Sequence, residues 1–199
     1  VQQGIRVIGQ VFGKEERAEE LVRFQQDIMA YFETKKAALE GKATPKVLYL
    51  RDRDLKVAAG GTVNTMMIET AGGVNVAKDV QGQWTPVTME QIAAWDPDVI
   101  ILSNFGPIQP ADLFEDKLEG QNWKNIKAVR EGRVYKAPIG LYRWDAPCVE
   151  TPLMIKWIAQ KLHPDVFNDY RLTDDLRGFY EKFFSYTLTD ADLKMILHE

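Results

Sequence analysis

The sequence is poor in the side chains from which most enzymes and metal sites are built. Its single cysteine, Cys148, excludes an internal disulfide and a multi-cysteine metal site. His163 and His198 are its only histidines, too few for a histidine-rich metal centre. The only serines, Ser103 and Ser185, lie outside any Gly-x-Ser-x-Gly elbow, and Gly41-Lys42-Ala43-Thr44 lacks the leading glycine of a phosphate-binding loop. Gly60-Gly61 and Gly72-Gly73 do not complete a Gly-x-Gly-x-x-Gly pattern. No apolar run approaches the roughly 18 residues of a membrane-spanning helix. Positive charge is not in excess: 25 Lys and Arg against 29 Asp and Glu give a net charge of −4. That balance argues against a nucleic-acid partner. The chain therefore carries no catalytic signature and no expected resident cofactor or metal site. Cys148, with no base beside it in sequence, reads as a buried structural thiol.

What is present is ordinary globular material: 199 residues, 45% hydrophobic and 27% charged, enough for one good core or two small ones. The opening Val-Gln-Gln-Gly, without Met or a signal peptide, predicts a piece of a longer protein. After an apolar lead over 5–11, Lys14-Glu15-Glu16-Arg17 opens a helix. Leu21, Phe24, Ile28, Tyr31 or Phe32, and Leu39 give it one apolar stripe. Gly41 is its stop, and a helix over 14–40 is about 40 Å long, the length of a strut between two bodies.

From Pro45 onward strand and helix signals alternate. Strands are predicted at 46–50, 99–102 and 133–137, and the unbroken Val99-Ile-Ile-Leu102 run suits a strand buried on both faces. Helices are predicted at 63–71, from the Thr88-Met-Glu-Gln91 capping box to just before Pro97, and in a short stretch ahead of Arg133. The tail reads as helices at about 149–162, 174–185 and 190–197, the last two capped by Thr173 and Thr189. Asp96 and Asp98 bracket a proline and read as turn chemistry. The pattern predicts an α/β three-layer sandwich with a mostly parallel central sheet.

Ligands in such sheets bind beyond the carboxyl ends of the strands, which directs attention to the loops 51–61, 103–110 and 138–147. The last holds Tyr142, Arg143 and Trp144 in a Pro/Gly setting, aromatic and cationic groups that suit a planar or anionic ligand. The alternative is that Trp144 packs on the sheet edge while Arg143 pairs with Asp145 or Glu150.

Several stretches together resemble a known family. They are Ala71-Gly-Gly-Val-Asn-Val-Ala77, Trp84-Thr-Pro-Val-Thr-Met-Glu-Gln91, Asp96-Pro-Asp-Val-Ile-Ile-Leu102, Trp123-Lys-Asn-Ile-Lys-Ala-Val129, Gly132-Arg-Val-Tyr135 and Trp157-Ile-Ala-Gln-Lys-Leu-His-Pro164. In order and spacing this resembles the C-terminal lobe of the periplasmic iron-siderophore, haem and vitamin B12 binding proteins of ABC importers. The resemblance implies a two-lobed, non-enzymatic solute binder. In it, 1–13 ends the other lobe, 14–42 forms the interlobe helix and 43–199 is the C-terminal α/β ligand-binding lobe. It implies a periplasmic location or a lipid anchor on the outer face of the cytoplasmic membrane, and docking on a permease dimer. It places Trp84 against the ligand, or as a core aromatic covering the sheet. It places Glu90 opposite permease arginines, or as a first-turn carboxylate serving its own helix. Tyr142, Arg143 and Trp144, with Lys56, Asn104 and Phe105, complete the expected ligand site. A ferric siderophore-like chelate, haem or a corrinoid is the expected ligand, with Tyr142 available to haem iron. The rival readings are a partner-binding α/β module and an enzyme domain completed by residues outside this chain.

Overall fold

The two apolar runs that need no alternation form the centre of the sheet. In the computed structural model, which describes all residues Val1–Glu199, β1 (Lys46–Leu50) pairs in parallel with β5 (Val99–Leu102), Leu50 opposite Leu102. On its other side β5 pairs in parallel with β6 (Val134–Lys136). The short β3 (Val74–Asn75) lies parallel to the start of β1, while β2 (Lys56–Ala58) and β4 (Trp84–Pro86) extend that edge antiparallel. The order is β4-β2-β1-β5-β6, a mostly parallel sheet of six strands. Lys56–Ala58 thus adds a strand inside the expected loop 51–61, and Trp84–Pro86 adds another where no strand was predicted.

Helices cover both faces. Val47, Tyr49, Val99 and Ile101 point into the larger core, built with α2 (Glu15–Leu39), α3 (Val63–Thr70), α7 (Thr151–Leu162), α8 (Leu172–Phe184) and α9 (Asp190–Leu197). Leu48, Leu50, Ile100 and Leu102 point into the smaller core, under α4 (Met89–Trp95), α5 (Pro110–Phe114) and α6 (Lys127–Arg130). This alternation along two-sided strands produces the three-layer sandwich.

Local chemistry explains most helix ends. Thr88 and Gln91 form the expected capping box on α4, and Thr189 forms one with Asp192 on α9. Thr173, expected to cap α8, lies instead inside it: that helix begins at Leu172 behind Arg171, with no side-chain cap. The apolar lead at the start of the chain is also a helix, α1 (Gln2–Phe12), ended by Gly13 in the left-handed conformation. Arg6 pairs with Glu19 at 2.6 Å, and a Cβ on Gly9 would stand 2.5 Å from that of Ala18. The absence of a side chain at Gly9 therefore lets α1 fold back closely on α2.

The long helix is bolted to the rest by polar chemistry as well as by its stripe of Ala18, Val22, Ile28 and Phe32. The buried Lys156 ammonium lies 3.9 Å from the Tyr170 ring centre and 5.5 Å from that of Tyr31, and pairs with Asp175. Tyr31 Oη and Lys35 Nζ each donate to the Asp169 carboxylate at 2.6 Å. The Lys35 and Tyr31 bonds hold the Asp169 carboxyl below its ordinary range. Stability from this tether is present above the unfolded value near ~4 and is lost as pH falls through the lowered folded value. The pair is half exposed, so the effect is a shift of about a degree or two in melting temperature. Acid melting curves of the wild type and Asp169→Asn are expected to converge as pH falls; parallel curves would remove Asp169 from the clamp.

Candidate functional site

The register places the ends of three strands side by side: Leu50 of β1, Leu102 of β5 and Lys136 of β6. Their loops consequently leave at one level. Arg51 is the first residue past β1 and is held there by its N–H, which donates to the Lys56 carbonyl at 2.7 Å. Its guanidinium carbon lies 4.9 Å from the Phe105 ring centre and 5.8 Å from that of Trp84. Arg143, from the loop after β6, lies 3.8 Å from the same Phe105 ring and 5.2 Å from that of Tyr142, and donates to Tyr142 Oη at 3.0 Å. Trp84 meets Phe105 edge-on at 5.8 Å. Two arginines from the loops after different strands thus converge on one exposed phenyl ring.

Neither guanidinium forms a direct ion pair, and Arg51 acts on the Asp54 carboxylate only through space. Thirteen ion pairs occur in the structure, and neither Arg51 nor Arg143 takes part in any. The pairing of Arg143 with Asp145 or Glu150, open from the sequence, does not occur. Arg143 Nε is buried without a partner. Planar cations stacked on aromatic rings and outside any direct ion pair have the chemistry to receive an anion.

The loops that carry these groups are fixed from below. The buried Lys136 ammonium donates to the carbonyls of Ser103, Gly106 and Ile108 at 2.7, 2.8 and 2.9 Å, threading the loop that presents Phe105. Burial lowers the Lys136 pKa, partly offset by Asp145, Asp52 and Asp112. A Cβ on Gly106 would stand 2.1 Å from Asp52 Cγ, so a larger residue there would push the Asp52 carboxylate aside. The other arm is anchored by Glu150, wholly buried, which accepts from Tyr180 Oη at 2.7 Å and from the Tyr142 N–H at 3.2 Å. Burial and this carboxylate push the Tyr180 phenol far up. Lys136→Met is expected to cost about 2–3 kcal/mol, because three carbonyls lose their donor while the penalty for burying the ammonium disappears. It should also speed hydrogen exchange at the Phe105 and Gly106 amides; unchanged exchange would show that the ammonium does not hold this loop.

Beside the Arg51–Phe105–Arg143 cluster lies a pocket of about 200 Å³, bounded by the start of α3, Trp84, Phe105 and the Asp145–Pro147 turn. Four of the expected ligand residues, Trp84, Phe105, Tyr142 and Arg143, meet around the cluster and this pocket. Three do not face it in the expected way. Trp144 has no exposed surface and sits in the larger core, so its role is packing, because alternation along the turn sends it inward from Arg143. Lys56 pairs with Asp54 at 2.7 Å and does not line the pocket. Asn104 uses its side-chain amide on the carbonyls of Ala137 and Pro138, tying the two ligand loops together. Glu90 is exposed on the first turn of α4, away from the pocket lining, with its carboxyl lowered by the Thr88 side chain. Arg51 is the residue that sequence reasoning did not single out; its signal is its place directly after the last residue of a central strand. Cys148 is half-buried and burial raises its thiol pKa. His163 holds the Gly72 carbonyl at 3.0 Å, and no cluster of three or more His, Cys, Asp or Glu is placed to hold a metal ion.

Residues 1–139 match the family model described as periplasmic binding protein. The chain belongs to this family. A periplasmic solute-binding protein of Veillonella parvula is 55% identical, superposes with a TM-score of 0.95, and is matched over 99% of this chain and 60% of its own. The molybdate-binding protein MolA of Haemophilus influenzae is 29% identical over 190 residues, 92% of this chain and 51% of MolA. The haem uptake protein IsdE of Staphylococcus aureus is 28% identical over 148 residues, 71% of this chain and 50% of IsdE. The chain therefore spans about half the length of the curated relatives it matches. These relatives are substrate-binding proteins, and no helix of this chain is long and apolar enough to cross a membrane.

Proposed function

We propose that this chain is the C-terminal ligand-binding lobe and interlobe helix of a non-enzymatic solute-binding component of an ABC importer, and that its solute is an anion. The observation that carries the ligand class is the pair of guanidiniums outside any direct ion pair, Arg51 and Arg143, on the Phe105 ring at the carboxyl ends of β1 and β6. An anionic ferric siderophore-like chelate, the propionates of haem or a compact oxyanion each answer those charges; a corrinoid with no net negative charge uses them least. Trp84 and Tyr142 supply the aromatic walls. Capture proceeds by closing a second lobe over this one, with α2 as the stiff connection.

Glu90 is the permease-docking residue of this reading, exposed and outside the ligand pocket. The protein works in the periplasm or on a lipid anchor at the outer face of the cytoplasmic membrane, delivering solute to a permease dimer. The test uses the full-length protein exported by its own cell and examined by native mass spectrometry with a visible absorption scan. A co-purified anionic adduct, with charge-transfer bands if ferric and Soret bands if haem, is the expected result. A cationic or neutral adduct would overturn the ligand class. Glu90→Lys should leave solute affinity within about twofold and depress uptake roughly tenfold through reversed charge at the docking face. Normal uptake would remove Glu90 from docking.

A further inference from the structure

The pocket beside the arginines combines two chemistries that a plain anion site does not need together. On one side stands the N-terminus of α3, an eight-residue helix capped by Thr62, whose side chain accepts from the Thr65 N–H. The N–H groups of Gly61, Val63 and Asn64 have no hydrogen-bond partner within the protein, and all three residues line the pocket. Free N–H groups at a helix start attract negative oxygens.

On the other side stands Asp145, which also lines the pocket and is only 2% exposed. Its Oδ2 accepts from the Ser103 hydroxyl and from the Asn104 N–H at 3.0 Å, so the side chain is fixed. Its Oδ1 has no partner at all. The Asn64 side-chain amide donates to the Asp145 carbonyl at 3.2 Å, locking this wall to the helix. A buried carboxylate oxygen without a donor is costly, and it repels any anion that lacks a proton to offer.

We propose that this pocket is a subsite selective for an oxyanion that carries its own proton: the negative oxygens rest on the N–H groups at the start of α3, and the ligand hydroxyl donates to Asp145 Oδ1. This rests on the reading that the cleft takes an anion, and it narrows the class from anions in general to those with a hydrogen-bond donor. Arg51 and Arg143 supply attraction to any anion, while Asp145 supplies the choice between them. Sites built around a ligand hydroxyl discriminate strongly against analogues that lack it, because the acceptor is then left unpaired.

The experiment titrates the full-length protein with inorganic phosphate, sulfate and molybdate, following the Gly61, Val63 and Asn64 amide signals by NMR. The pH is set where phosphate keeps one proton and the other two anions have none. The wild type is expected to bind phosphate at least about tenfold more tightly than sulfate or molybdate. Asp145→Asn keeps an oxygen for Ser103 and Asn104 and puts an amide donor where Oδ1 was, so it should abolish or reverse that ratio. Equal wild-type affinities for the three anions would overturn the donor requirement while leaving the anion reading intact. No response to any of them would overturn the oxyanion subsite, while the anion reading would stand or fall on the charge of the co-purified adduct. An unaltered preference in a folded Asp145→Asn protein would likewise sink the role of Asp145. The wild-type ratio decides by itself if the variant does not fold.

Discussion

Replacing Arg51 and Arg143 together by alanine in the full-length protein is expected to weaken binding of an anionic solute by about a hundredfold or more. Hydrogen bonds to charged groups contribute roughly 1.5–3 kcal/mol each, and about 1.4 kcal/mol is a tenfold change in affinity. Stability should hardly move. Neither arginine pairs with a carboxylate, so their removal strands no buried charge, and the buried Arg143 Nε has no partner to lose. The melting temperature should stay within about 2 °C, as for surface substitutions elsewhere in proteins of this size. Calorimetric titration together with thermal melts separates the two quantities. Unchanged affinity would discard the arginine pair as the receptor, whatever the ligand proves to be.

Trp144→Ala is expected to do the opposite. Trp144 is wholly buried among the residues of the larger core, so truncation removes a large apolar surface and leaves a cavity there. Such changes cost about 3–5 kcal/mol, which for a chain of this length is a fall of roughly 10 °C in melting temperature. Its indole N–H is buried without a partner, which trims the loss but does not reverse it. At temperatures where the variant remains folded, affinity for the anion should fall by less than about threefold through loosening of the neighbouring Arg143. A stable variant with badly weakened binding would return Trp144 to the ligand wall.

The contrast between neighbours 143 and 144 shows where the sequence stops being informative. Both stand in a loop with every mark of a binding loop, and composition ranked them together. Their difference in role arises from the turn, which is fixed by Glu150 taking the Tyr142 N–H and by the short bridge between Ile139 and Arg143. Neither constraint is local enough to read from residue types. Lys136 poses the same problem: a lysine at the end of a strand reads as solvated, and only the path of the 103–108 loop over it turns it into a donor for three carbonyls. Arg51 stands in Arg51-Asp-Arg-Asp, where residue types do not separate the arginine that meets Phe105 from Arg53, and only its place directly after the strand does.

By itself the sequence determined the α/β alternation, the central strands at 46–50 and 99–102, and the caps at Thr88 and Thr189. These depend on short-range chemistry: an unbroken apolar run, a hydroxyl three residues from its partner. Tertiary structure alone decided that the first residues fold back as a helix, with Gly9 allowing close approach to Ala18. It also decided which arginines share one phenyl ring and which tryptophan lies inside. Those outcomes depend on register and on loop paths between residues far apart in the chain, and such distances are set by packing of the whole sandwich rather than by any one segment.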